Sequence, residues 1–285
     1  MKRNRDGRGV KIVMLATMAA IMIAMCMGCG RDEKHFREGE RLAVAGRHDQ
    51  AILEYRKAIR HNPRHTRAHN ALGIIYGGRG LMDAAIAEFR HAVLSDTSYA
   101  MAHYNLGNAL KAKGQFGEAL LSYRRALLQD PDLAMAYHSM GNLFFQIGDR
   151  PQAMQYYSKA IELQPDYTMA YHKLGELYVV EGMQEAALAA HRRALELSPG
   201  VPIVIVGLAN AFAAGDAPDS AIYYYRQALE IDPNLAAARL SLGAVLKDIG
   251  DPGGAVQQWE KALEVLPKGA FADSVRKNID RTRQQ

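Results

Sequence analysis

Residues 100–110 read AMAHYNLGNAL, residues 134–144 read AMAYHSMGNLF, and residues 168–178 read TMAYHKLGELY. The three phrases stand thirty-four residues apart, and the chain around them keeps the same spacing. From Asp32 to Gly269 it divides without insertion into seven blocks: 32–65, 66–99, 100–133, 134–167, 168–201, 202–235 and 236–269. A period of this length marks stacked supersecondary units rather than one globular core.

Each block carries the same residue types at the same places. The seventh and eighth places are Leu72-Gly73, Leu106-Gly107, Leu174-Gly175 and Leu242-Gly243, with Met140-Gly141 a close variant. The twentieth place is alanine in every block, from Ala51 to Ala255, and so is the twenty-seventh, from Ala58 to Ala262. The twenty-fourth is large: Tyr55, Phe89, Tyr123, Tyr157, His191, Tyr225 and Trp259. Small residues let two antiparallel helices approach, and the large one fills the groove between them. A glycine near the fifteenth place, as in Gly80 and Gly114, ends the first helix. A proline at the thirty-second, from Pro63 to Pro267 with Thr97 in one block, ends the second because it has no N–H to donate.

These marks resemble the tetratricopeptide repeat. The resemblance implies an all-α fold, a right-handed α-solenoid of seven helix-turn-helix repeats whose first helices line a concave groove for a protein or peptide. It also implies that the second, fifth, sixth, ninth, twelfth and thirteenth residues of each first helix face inward. On this chain the second-place column includes Met101, Met135 and Met169, and the fifth includes Tyr104, His138 and His172. Asn105 and Lys173 stand at the sixth place, Asn108 and Asn142 at the ninth. Methionine adapts to varied apolar shapes, and an amide both donates to and accepts from a peptide backbone. These ten residues are the candidate binding site, although interhelix packing would use the same methionines. The asparagines are also similar to the inner ladder of arrays that present substrates to peptide-modifying glycosyltransferases, which gives a second functional reading.

The ends of the array depart from the pattern. Glu38 occupies the leucine place of the first block and Ala209 the glycine place of the sixth. Residues 270–285 read as a C-terminal capping helix with Phe271, Val275 and Ile279 on one apolar stripe. Family members that grip acidic chaperone tails carry a Lys/Asn, Asn, Lys/Arg clamp. Blocks three to five keep Asn108 and Lys173 but place Tyr104, Ser139 and Met169 at the other clamp positions, which argues against that partner.

Before the repeats, MKRNRDGRGVK is a basic lead, and an uncharged run follows through Gly30. This is the layout of an export signal. Cys26-Met27-Gly28-Cys29 resembles the lipobox of bacterial lipoproteins, with Gly28 before a lipidated Cys29. Residues 1–28 are then a signal peptide and 29–31 a short tether. Ile12 to Gly30 is also nearly long enough for a retained signal anchor, given the roughly 20 residues that a bilayer needs. Either way the repeats lie on the extracytoplasmic side, since basic residues stay inside. A haem C-x-x-C is disfavoured because Gly30 stands where histidine is required.

The formal net charge is +5, and Lys2, Arg3, Arg5, Arg8 and Lys11 against Asp6 account for +4 of it. The body is left near +1, so bulk charge supports no nucleic-acid partner. Both cysteines lie in the N-terminal run, so the body has no disulfide framework. His35, His69 and His103 share the fourth place and His138 and His172 the fifth, without metal-ligand spacing. No phosphate loop or nucleophile elbow occurs. The expectation is a non-enzymatic, membrane-tethered scaffold of a bacterial cell envelope, with no cofactor, metal, nucleic acid or small-molecule substrate.

Overall fold

A computed structural model describes residues 30–284, which are all-helical. The basic lead, the apolar run and the candidate lipidation site Cys29 lie outside the described residues. Helix α1 covers residues 30–44. It is followed by α2 His48–His61, α3 Thr66–Gly78, α4 Met82–Ser95, α5 Ala100–Ala112, α6 Phe116–Gln129 and α7 Ala134–Gln146. Then come α8 Arg150–Leu163, α9 Thr168–Val180, α10 Gln184–Leu197, α11 Pro202–Ala214, α12 Pro218–Ile231, α13 Ala236–Asp248, α14 Pro252–Val265 and α15 Ala270–Arg283. From α3 to α13 each odd-numbered helix opens on the first residue of a thirty-four-residue block.

The turn inside each block is a helix stop with a left-handed residue. The N–H of the sixteenth residue reaches the carbonyl of the eleventh: Leu81 to Tyr76 at 2.9 Å, Gln115 to Leu110 at 2.9 Å, Asp251 to Leu246 at 2.8 Å. This Schellman bond needs positive φ between them. Gly80 and Gly114 supply it at 74° and 75°, and in the sixth block Asp216 adopts 54° without being glycine. So short a turn forces the two helices antiparallel. Between blocks the chain makes an Asx turn, the Asp96 carboxylate accepting from Ser98 N–H and Asp232 from Asn234 N–H, both at 2.9 Å.

The small-to-large code is realised as side-chain contact. The alanines at the twentieth and twenty-seventh places are fully buried, Ala119 and Ala126 among them. A Cβ on Gly107 or Gly141 would stand 2.6 Å from the ring of Tyr123 or Tyr157. Glycine is there because the aromatic ring lies on the helix backbone.

The chain divides into two compact units, Met1–Ala136 and Tyr137–Gln285. In the first, α3 packs on α4 and α5 on α6; in the second, α9 packs on α10, α11 on α12 and α13 on α14. The backbones of the first helices also approach one another, α3 with α5, α9 with α11 and α11 with α13, whereas those of successive second helices within a unit stay farther apart, α4 and α6 meeting through the Arg90–Glu118 pair. The first helices therefore form the tighter, inner side of each unit. The second unit's core runs from Val206 through Tyr225, Leu242 and Trp259 to Val275 and Ile279.

Helix α15 closes that core, with one correction to the expected stripe. Ala272, Val275, Ile279 and Thr282 are buried, while Phe271 is 61% exposed. The buried set follows spacings of three and four residues, and Phe271 falls one position off that line. Among the described residues no helix is long and apolar enough to cross a membrane.

Candidate functional site

The inner side of the first unit is built by α3 and α5. Asn105 and Asn108 point from α5 toward α3, where Ile74, Gly77 and Gly78 face them across a hollow of about 240 Å³ that Ala112 also lines. Gly77 and Gly78 occupy the twelfth and thirteenth places of their block, and their missing side chains open the space. A Cβ on Gly78 would meet nothing within 4 Å. Ile74 is 52% exposed and gives the hollow an apolar wall.

Its asparagines are partly committed. Asn105 donates its amide to Asn70 Oδ1 at 2.9 Å, and Asn108 accepts the Tyr123 hydroxyl at 2.8 Å. The second bond fixes the Asn108 carbonyl and leaves its NH₂ group, on an asparagine that lines the hollow, without a hydrogen-bond partner among the described residues. Met101 and Tyr104 stand beside these residues, half-buried, with the Tyr104 ring 6.1 Å from that of Tyr123. Met135, where α7 begins, is 37% exposed.

The second unit repeats the asparagine device. Tyr157 donates to Asn142 and Tyr225 to Asn210, at 2.8 and 2.6 Å. In the third, fourth and sixth blocks the asparagine at the ninth place thus answers the tyrosine at the twenty-fourth; the same two places hold Glu40 and Tyr55 in the first block, Ile74 and Phe89 in the second, and Glu176 and His191 in the fifth. His138 lies between Asn142 Nδ2 at 3.4 Å and the Tyr167 hydroxyl at 3.3 Å. An amide NH₂ can only donate, so Nε2 accepts and the ring proton sits on Nδ1. Met169 is half-buried. Lys173 pairs with Glu176 at 2.7 Å, which neutralises the cation expected to meet a partner.

His172 does not face the groove. It is 1% exposed, its ring 5.5 Å from that of His191, which is fully buried. The fifth-place column misplaces it because the fifth block departs twice from the pattern: His191 is smaller than the usual tyrosine, and the following block offers Gly207. A Cβ on Gly207 would stand 2.6 Å from His191 and 2.8 Å from His172. His172 Nε2 lies 3.2 Å from Glu176 Oε1, a close contact without hydrogen-bond direction. Neither nitrogen of His191 has a hydrogen-bond partner. Burial and the neighbouring His172 push His191 down to about 4, against a smaller opposing pull from Glu176. Burial raises Glu176, but the adjacent His172 ring and the Lys173 ammonium bonded to its carboxylate outweigh that and hold the carboxyl at about 2.

The fourth-place histidines serve helix packing. His35 meets Glu54 at 2.6 Å, and His69 meets Glu88 at 2.7 Å and the Pro63 carbonyl at 3.1 Å. Both His69 partners only accept, so both ring nitrogens must donate and the imidazolium is favoured. Burial lowers its pKa, yet Glu88 and the carbonyl overcome that and raise it. His103 Nε2 donates to the Thr97 carbonyl at 3.0 Å. No group of three His, Cys, Asp or Glu side chains among the described residues is placed to hold a metal ion.

Ile74 stands at the inward-facing ninth place of its block but was not among the candidate site residues, and Gly77 and Gly78 were missed, although the signal was present. The twelfth and thirteenth places hold Gly-Gly only in the second block; elsewhere they hold pairs such as Phe145-Gln146 and Val179-Val180.

Known families and structures agree with this architecture. The family profile described as TPR repeat matches residues 107–148 and 141–182, and that described as Tetratricopeptide repeat matches residues 36–100. This chain belongs to the tetratricopeptide-repeat family. A comparison with curated protein sequences gives no match. Among solved structures, a tetratricopeptide repeat protein from Parabacteroides merdae is 17% identical with a TM-score of 0.69, covering 89% of this chain and 99% of its own. PilW, a type IV pilus biogenesis factor, is 21% identical with a TM-score of 0.67, covering 74% and 97%. The APC/C hetero-tetramer Cut9-Hcn1 reaches a TM-score of 0.71 at 18% identity over 89% of this chain, which spans 46% of that one. At these identities the likeness is one of fold. Repeats of this family commonly bind protein or peptide partners, and a protein-interaction scaffold is the general class that the fold defines.

Proposed function

We propose that this chain is a non-enzymatic scaffold that holds a peptide segment on the inner side of its repeats while tethered to a bacterial cell-envelope membrane. The observation that carries the binding reading is the hollow between α3 and α5. It combines the apolar Ile74 wall, bare backbone at Gly77 and Gly78, and an Asn108 amide oriented by Tyr123. A peptide's apolar side chain fits such a space while Asn108 donates to its backbone. Met101, Tyr104 and Met135 extend the proposed contact surface within the first unit; His138 and Met169 offer contacts of the same kind on the second, and His172 is left out.

The tether reading rests on the basic lead, the apolar run and Gly28-Cys29. Stable anchoring then takes more than one acyl chain, or an uncleaved span. Assembly of an envelope complex such as a pilus is the setting to test first, since PilW shares the fold. The asparagine-ladder alternative loses support because the amide groups of Asn105, Asn108 and Asn142 are partly spent on Asn70, Tyr123 and Tyr157.

The test is a photoreactive residue at Ile74 in the full chain, in membranes of the source cell, with and without Gly78→Leu. Position 78 has room for a side chain, so the variant fills the hollow without disturbing the core. One dominant adduct that disappears in Gly78→Leu supports the reading; an adduct pattern unchanged by the substitution sinks it. Intact mass of the same protein, starting at Cys29 with acyl chains or at Met1, decides between lipoprotein and signal anchor.

A further inference from the structure

The outward stripes of the second helices differ between the two units. On α6 the exposed line at spacings of three, four and seven is Leu121, Arg124, Arg125 and Leu128; on α4 it is Ala87, Arg90, His91 and Leu94. On α2 it is Leu53, Arg56, Lys57 and Arg60. These three stripes hold six Lys or Arg and no carboxylate. The same places in the second unit hold five cations and five glutamates, among them Glu162, Glu196 and Glu230. There the charges pair along the helix, Lys159 with Glu162 at 2.6 Å and Arg193 with Glu196 at 2.9 Å. In the first unit leucine replaces that glutamate twice, and Arg60, Arg124 and Arg125 have no carboxylate partner among the described residues.

The leucines are left in water. Leu94 is 71% and Leu128 is 76% exposed, and Leu94 and Leu121 share an open hollow of about 380 Å³ with Arg90, Arg125 and one carboxylate, Glu118, which is neutralised by Arg90 at 3.0 Å. Isolated exposed leucines need no explanation, but leucines in register on α4 and α6, interleaved with Arg90, which pairs with Glu118, and with Arg124 and Arg125, which have no carboxylate partner among the described residues, form a patch. Apolar residues among cations suit the boundary between lipid headgroups and acyl chains, where leucine enters the acyl region and arginine meets phosphate. The first unit is also the one whose helix α1 begins where the apolar N-terminal run ends, at Gly30.

We infer that the outer face of α4 and α6 lies against an anionic lipid surface, so that the first unit is held down by this face as well as by its tether. The inference rests on the tether reading above. An acidic protein patch would answer the same charges, and the test distinguishes it.

The full chain is reconstituted into vesicles of phosphatidylglycerol and phosphatidylethanolamine, with a photoreactive residue at Leu94, Leu128 or, as control, Glu196. The expected result is lipid adducts at 94 and 128 about tenfold above those at 196. The yield should fall severalfold in phosphatidylcholine vesicles, in high salt, or with Arg124→Glu and Arg125→Glu, because the attraction is screened and charge-dependent. These residues are solvent-exposed, so the variants should fold, and flotation reports whether the tether still works. A chain that floats with the vesicles but gives equal lipid adducts at all three positions overturns this inference alone. A chain that does not float overturns the tether reading with it. Adducts at 94 and 128 formed only with an added membrane-extract protein, and not with lipid, assign the face to a protein and likewise overturn the inference.

Discussion

The Tyr157 hydroxyl donates to Asn142 Oδ1 at 2.8 Å across the two helices of one repeat, and the Tyr123–Asn108 and Tyr225–Asn210 pairs repeat the bond fifteen residues apart. Where the hydroxyl is missing, at Phe89, the partner is Ile74. The asparagine is thus as much a structural acceptor as a groove residue.

A transplant tests that coupling. Asn142→Ile alone should destabilise the chain by about 1–3 kcal/mol, because the Tyr157 hydroxyl loses its acceptor in a buried place. Adding Tyr157→Phe copies the Ile74–Phe89 pair and should recover most of the loss, a coupling read from urea midpoints of the four proteins in the cycle. Equal midpoints for the single and double variants would dismiss the coupling.

Two glycine substitutions should go in opposite directions. Gly141→Ala drives a methyl to 2.6 Å from the Tyr157 ring and should cost about 1–3 kcal/mol. Gly78→Ala meets nothing within 4 Å and should stabilise its helix by about 0.5–1 kcal/mol. Melting temperatures that move the same way in both would contradict the packing described.

Acid should loosen the second unit first. His191 is held near 4 by burial and His172, below its ordinary 6.5, so as pH falls through that window the unfolded chain takes up a proton that the folded one refuses. Stability is present above 6.5 and lost toward 4, on the order of 3 kcal/mol at full titration. Glu176, lowered from 4.5 to about 2, removes more as pH falls further. His69 works in the opposite sense, since its raised pKa contributes stability below 6.5 that is lost as pH rises through the folded value. Hydrogen exchange at pH 7 and pH 5 should show protection falling around α9 and α10 more than around α3 and α4. A uniform fall would refute this assignment, and His191→Leu should blunt the acid limb.

The left-handed turn of the sixth block offers a stabilising change. Asp216 holds φ 54° where other blocks use glycine, so Asp216→Gly should gain about 0.5–1 kcal/mol, read as a higher melting temperature. No gain would show that the Asp216 side chain supplies something that offsets its backbone.

Much of this protein was legible in the order of its residues. The helix starts, the turns and the buried alanines follow from the thirty-four-residue period, because Schellman stops, Asx-Pro turns and small-against-large packing are local. The general location of the inner face was equally readable, since it recurs in every block. The state of each inward side chain was not. His172 is buried because His191 and Gly207, nineteen and thirty-five residues away, leave room for it, and Lys173 is neutralised by Glu176. The hollow at Gly77 and Gly78 exists because two absent side chains face α5 rather than a neighbouring ring. A repeating backbone is dictated by short-range chemistry, but whether a side chain on it is spent or free depends on what stands across the helix interface, and only the tertiary structure brings those residues together.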